Sequence, residues 1–356
     1  MTTTTISVIS TTNNTHSRGL TVYTSLATWN DAAPASLVAD DVVWVGECYN
    51  DGTFSSSSTL LSMSGDTTGA SNYKELRCAT GQSFSDNANA QSNVLQYNTT
   101  NGVAIACSGG YTAAVSAYEA YVRIIGIQIT CTVQNGYCLL LGNVNALFDK
   151  CILSSDKGGA PTMGLSNVNQ TISNSLVMHR SNSAAATLNY GNVYGCTFVR
   201  LITGTAPVIT IQYGSGALKN CAFFGVTGGN DFRTGSSGVF TNCYTDGGNR
   251  PSGVSLLAFD TTTGSGFQSL TTDFRIKSTS GLKDAGATLS SGDTAYYDHD
   301  IVSSTRPQNS TFDVGAWEYV VAGGSTITTA TLPAGLGAMG SGQTRAIQPA
   351  GLSYMG

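Results

Sequence analysis

One pattern, recurring between residues 122 and 245, restricts this 356-residue chain more than any other feature. An apolar residue is followed by two polar or turn-forming residues, a small residue and a further short strand-like pair. It reads Phe148-Asp-Lys-Cys151-Ile-Leu153, Ile172-Ser-Asn-Ser175-Leu-Val177, Val193-Tyr-Gly-Cys196-Thr-Phe198, Leu218-Lys-Asn-Cys221-Ala-Phe223 and Phe240-Thr-Asn-Cys243-Tyr-Thr245, with a looser copy, Val122-Arg-Ile-Ile-Gly126-Ile-Gln-Ile129, ahead of them. The small residues are 25, 24, 21, 25 and 22 positions apart. A fixed period of this length is the mark of a solenoid, in which each repeat buries its apolar side only against its neighbours.

Leucine-rich repeats share the period but need a Leu-x-x-Leu-x-Leu frame, which is absent. Short β-branched and aromatic runs between Gly and Asn turns fit three strands per coil. The expected fold is therefore all-β: a single-stranded right-handed parallel β-helix with a short N-terminal capping helix and an extended C-terminal tail. Equivalent residues of successive coils then lie about 4.8 Å apart. Phe148, Ile172, Val193, Leu218 and Phe240 form one interior stack, and Leu153, Val177, Phe198 and Phe223 another. Cys151, Ser175, Cys196, Cys221 and Cys243 form a ladder of small inward residues, with Asn174, Asn220 and Asn242 stacked just before it. The expected division is residues 1–39 as arm and capping helix, 40–319 as β-helix and 320–356 as tail.

Only 10% of the residues are charged, where roughly 25% is usual. That composition excludes helical bundles, and a net charge of −5 without a basic cluster argues against nucleic acid as a partner. With 16 Tyr and 12 Phe in so weakly charged a chain, disorder is disfavoured. No apolar run of about 18 residues is present to span a membrane, and the first residues, Met1-Thr-Thr-Thr-Thr-Ile, do not read as a secretory signal. The nine cysteines include no Cys-x-x-Cys pair. They are expected to be buried small hydrophobes rather than disulfides or metal ligands, and no metal or cofactor is expected.

Thr24-Ser-Leu-Ala-Thr-Trp-Asn-Asp-Ala32 places Leu26 and Trp29 on one face of a short helix over the N-terminal opening. At the other end, Asp273-Phe-Arg-Ile-Lys277, Asp284-Ala-Gly286, Arg306-Pro307 and Asp313-Val-Gly-Ala-Trp-Glu318 follow one another. This segment resembles the C-terminal part of right-handed β-helix proteins of the pectate-lyase-like superfamily, although Thr279-Ser280-Gly281 departs from the usual Ser-Pro. The resemblance implies a recurrent end of the coil stack found among many activities. Arg275 and Arg306 are expected to pair with Asp284, Asp313 or Glu318 and tie the last coils.

A β-helix enzyme acting on polysaccharide needs two carboxylates about 5–10 Å apart, or a base beside acidic calcium ligands. Within the repeats no two carboxylates share a register. One cluster lines up on successive coils: Asp156 and Lys157, then His179 and Arg180, then Arg200. It reads either as a solvated strip of weak ion pairs or as a site for an anionic sugar or acidic partner, with His179 as the base. If the protein's role is structural and not catalytic, His179→Ala and Asp156→Asn are expected to leave stability and assembly nearly unchanged. In a catalytic reading the residues are Asp156, His179 and Arg180.

The expected function is that of a non-enzymatic structural or attachment protein of a virus particle, a bacteriophage virion made in the host cytoplasm. Capsid decoration and tail spike or fibre are both open. The alternative is a polysaccharide lyase or glycoside hydrolase of phage-depolymerase type acting on a bacterial surface glycan. Expected partners are other virion proteins, further copies of the chain, or that glycan. The tail contains a near-duplicate, Leu332-Pro-Ala-Gly-Leu-Gly-Ala-Met-Gly340 and Gln348-Pro-Ala-Gly-Leu-Ser-Tyr-Met-Gly356. Leu336, Met339, Leu352, Tyr354 and Met355 are expected to anchor the protein in its assembly.

Overall fold

Strands of the chain visit three parallel sheets in turn and return to the first, one coil at a time. This computed structural model describes residues 2–320 apart from 88, 110–112, 143–144, 157–161, 168, 182, 203–205, 212–215, 226–231, 235–238, 247–249, 257–265, 290–296 and 309–310. The five proposed anchor residues of the tail and Lys157 lie outside the described residues. Among those described, the strands form parallel sheets of ten, nine and seven strands and one antiparallel pair. A single short helix, Leu26–Asp31, is found among them. The chain is all-β, its long sheets do not close into a barrel, and the arrangement is compatible with a parallel β-helix.

Pairing follows the spacing of the repeats. In the ten-stranded sheet Ile124, Phe148, Ile172, Val193, Leu218 and Phe240 are successive partners. In the nine-stranded sheet Ile129, Leu153, Val177, Phe198 and Phe223 are. Both rows belong to one apolar core. The five residues of the small ladder are fully buried, its four cysteines are free thiols, and burial pushes the Cys151 thiol up to about 12. Such thiols pack as small hydrophobes, without thiolate chemistry.

The residue before each ladder member turns the chain with positive φ: Lys150 (53°), Asn174 (47°), Gly195 (55°), Asn220 (54°) and Asn242 (46°); in the looser copy Gly126 (72°) takes this turn position, aligned with Lys150 and not, as the spacing suggested, with Cys151. Asn and Gly are favoured here because they tolerate the left-handed region. The asparagine amides turn outward to other partners. Asn174 Nδ2 donates to Asp149 Oδ1 at 2.8 Å, while Asn220 exchanges two bonds with Ala287, at 2.9 and 2.7 Å. Asn242 Nδ2 donates to the Ala285 carbonyl at 3.2 Å.

At the N-terminus the stack begins earlier than expected. Thr3–Ile9 pairs along its whole length with Val42–Cys48, so these residues are a strand of the ten-stranded sheet and not an arm. The helix follows, capped by Ser25, whose hydroxyl accepts from the Thr28 N–H at 3.1 Å. Leu26 and Trp29 are buried with the main core. Trp29 comes so close to Gly46 that a Cβ there would sit 2.7 Å from its ring.

Residues 267–319 hold a position that the sequence does not suggest. Those described among them do not end the stack but lie along its side, over the outward face of the nine-stranded sheet. Ile152, Leu176, Met178, Val199, Ala222 and Phe224 point out of that sheet and pack against Phe267, Phe274, Ile276, Leu282, Ile301 and Trp317. The covering reaches far back in sequence, since the Phe274 N–H donates to the Leu95 carbonyl at 3.3 Å. Arg275 pairs with Asp273 at 2.6 Å and donates to the carbonyls of Gln91 and Ser92, so its expected partners are replaced by nearer ones. Arg306 is buried, donates to Tyr297 Oη at 2.6 Å and to the Gly315 carbonyl at 2.8 Å, and has Glu318 at 3.8 Å.

Candidate functional site

The cluster read from the sequence divides into an inner and an outer half. Cys131, Ser155, His179 and Arg200 are successive partners in the nine-stranded sheet, two residues beyond the row of Ile129, Leu153, Val177 and Phe198. Alternation along a strand puts both rows on the same, inward face. His179 and Arg200 accordingly have 0% exposure and form no part of a solvated strip. Asp156 and Arg180, one residue further, are exposed and 3.6 Å apart. The histidine is held by hydroxyls: Thr162 Oγ1 lies 2.9 Å from Nδ1, and Ser181 and Ser183 Oγ each lie 2.6 Å from Nε2. Since the Thr162 hydroxyl donates to the Met178 carbonyl at 3.0 Å, Nδ1 carries the proton and Nε2 accepts.

Burial, with Arg200 acting in the same sense, lowers the His179 pKa to about 4. A base that is neutral, enclosed and weakly basic cannot take a proton from a substrate outside the wall. Its partners also overturn the expectation that the residue is dispensable. Replacing His179 by Ala is expected to cost about 1–3 kcal/mol, because buried hydroxyls lose their partner. The folded pKa lies below the unfolded one, so the stability this residue contributes is present above pH 6.5 and lost as pH falls towards 4. Denaturant titrations at pH 7 and 4.5 should show a difference between wild type and His179→Gln that shrinks at the lower pH.

A second arrangement lies on the outward face of the ten-stranded sheet. Glu47, Arg77 and Ile125 form one outward row there, and Val45, Glu75, Arg123, Leu147 and Thr171 the next. The charges interlock across coils: Arg77 is 2.8 Å from Glu47 and 2.9 Å from Glu75, Arg18 is 2.9 Å from Glu47, and Arg123 is 3.9 Å from Glu75. The Arg123 guanidinium lies over the Tyr73 ring, 3.7 Å from its centre. Beside this strip runs a groove of about 220 Å³, lined among others by Tyr73, Tyr121, Arg123, Asn145, Asn169 and Thr171. Tyr121, Asn145 and Asn169 come one per coil, 24 residues apart, and Arg123, Leu147 and Thr171 form the floor with the same period. Burial raises the Tyr73 phenol above its ordinary pKa against the opposing effect of Arg123, so this rim residue is a neutral donor.

The chain matches no protein-family model, no curated protein and no solved structure. The resemblance of residues 273–319 therefore rests on their motif alone. Among the described residues, no group of three His, Cys, Asp or Glu is placed to hold a metal ion. The groove escapes a search for paired carboxylates because it contains none. Its signal in the sequence is the recurrence of Tyr121, Asn145 and Asn169 just before successive strands.

Proposed function

We propose that the chain is a right-handed parallel β-helix serving as a non-enzymatic structural and attachment protein of a virus particle, of capsid-decoration or tail spike or fibre type, and that its groove holds a bacterial surface glycan. The observation that carries the binding reading is the groove itself, whose rim and floor repeat once per coil. A step of about 4.8 Å suits an extended chain of sugar rings better than a compact ligand. The lining suits it too: amide and phenol groups for hydroxyls, a tyrosine ring for a sugar face, and one arginine for an anionic substituent. The catalytic alternative relied on His179, which lies inside the wall. The particle itself is inferred from the low charge, the rigid stack and the tail, whose one charged residue is Arg345.

Binding of the purified full chain to immobilised bacterial surface glycans tests the groove. Arg123→Ala and Tyr73→Ala are each expected to weaken binding by up to about tenfold, the scale of a stacked cation and ring. Unchanged binding in both variants removes the groove from the reading, and release of new sugar ends by the wild-type protein establishes the lyase or hydrolase instead. Imaging of native particles for this chain tests the virion part.

A further inference from the structure

A lysine with no exposed side-chain surface stands at a corner of the N-terminal coils. Lys74 opens the strand Lys74–Cys78, with its Nζ 2.9 Å from Asn30 Oδ1 at the end of the helix. It also lies 3.3 and 3.2 Å from Glu119 Oε1 and Oε2, and in contact with Asp66 Oδ2. The Lys74 and Glu119 side chains are 0% and 1% exposed, while Asp66 keeps 20%. Glu119 further accepts from the Asp66 backbone N–H at 3.1 Å, so both acids are fixed against one amine. Burying an ion pair costs several kcal/mol per ion, roughly, before attraction returns any of it. Nothing in the packing of the coil calls for a charge at this position, where the neighbouring strand supplies Val122.

We propose that Lys74 and Asp66 become joined by an amide between Nζ and Cγ, with Glu119 as the proton shuttle. The ammonium passes a proton to the Asp66 carboxylate it touches, which leaves a neutral amine beside a neutral acid. That exchange removes the charge of the fully buried amine together with that of the acid it touches. The Nζ lone pair attacks Cγ, and Glu119, in contact with Nζ, takes the second proton from nitrogen and returns one to the departing hydroxyl. One C–N bond forms, one C–O bond breaks and one water leaves, with no oxidant or other reagent. Burial raises the pKa of Glu119 against the pull of Lys74, which suits a group that must hold a proton and hand it over. Holding amine, acid and shuttle in contact replaces the activation that free amide formation requires.

Asn30 also faces the amine, but its Nδ2 is held by Asp31 Oδ1 and the Ser62 carbonyl, both at 3.3 Å, in a buried site from which ammonia would have to escape. Asp66 is partly open to solvent and can release water. The product closes a covalent loop of residues 66–74 beneath the helix.

Denaturing mass measurement of the intact full chain tests this. The wild-type protein is expected to be lighter than its sequence by one water, and Glu119→Gln, which keeps the amide oxygen for the Asp66 N–H but cannot shuttle the proton, to have the full mass. Proteolysis after Tyr73 should leave Lys74 attached to the peptide containing Asp66 in wild type only, which separates the cross-link from a cyclised side chain. Full sequence mass in wild type, with Lys74 open to trypsin, overturns the proposal. Loss of one ammonia with Asn30 in the joined peptide overturns the choice of Asp66, and loss of water in Glu119→Gln overturns the role of Glu119.

Discussion

Replacing Phe223 by alanine is expected to lower the stability of the folded chain by about 3–5 kcal/mol, the cost of truncating an enclosed aromatic residue. Phe223 has 0% exposure and joins two interior contacts. It stacks on Phe198 of the preceding coil, with ring centres 5.3 Å apart, and meets Phe232 edge to face at 4.9 Å. Because neighbouring coils support each other, the void has no element free to collapse into it. The denaturation midpoint should fall while its slope stays near the wild-type value, since the same surface is exposed on unfolding. A loss under about 1 kcal/mol would mean that the rings are not stacked across coils.

The second large effect is expected at Arg306. Its guanidinium is buried in the side covering, where it bonds Tyr297 and the Gly315 carbonyl and faces Glu318. Removing one member of such a buried set leaves the others uncompensated, at a cost of about 3–5 kcal/mol. Arg306→Met should therefore loosen residues 267–319 from the sheet, which limited proteolysis reads directly. Burial, opposed by Arg306, raises the Glu318 pKa to about 7. The raised value means that the folded state holds a proton the unfolded chain releases. Its contribution is present below the unfolded pKa and is lost as pH rises through 7. The defect of Arg306→Met should thus be greatest near pH 8 and smaller at pH 5, where Glu318 can take up a proton. A defect independent of pH would show that Glu318 is not left facing the vacancy.

Much of the stack is legible in the sequence because a coil has to reuse its pattern. Phe148, Ile172, Val193, Leu218 and Phe240 can be aligned by counting, and their pairing follows the count. The misplacement of His179 and Arg200 has a simple cause. Both stand four residues beyond a small inward anchor, Ser175 and Cys196, and an even offset in a strand faces the same way as its origin. Their polarity suggested an edge, but three hydroxyls inside the wall satisfy the histidine. The covering by residues 267–319 also left a trace, since Leu176, Met178 and Phe224 stand at odd offsets where a solvated face would be polar. The corner of Lys74, Asp66, Glu119 and Asn30 left none, because its members come from four segments with no common period. The groove lay partly before the region where the repeat is regular, at Tyr73 and Arg123.

The lateral covering sets an order of events for a chain made from its N-terminus. Strands from residue 104 onward can pair as soon as each coil is complete, but their outward side, with Met178, Val199 and Phe224, stays bare until residues 267–319 have been synthesised. Closure then brings Asp273 to the backbone of Leu95, across 178 residues of sequence. During that interval the growing molecule is a sheet with one greasy side facing water, the condition in which unfinished chains adhere to one another. The covering laid over the wall is thus also what makes the earlier part safe to release.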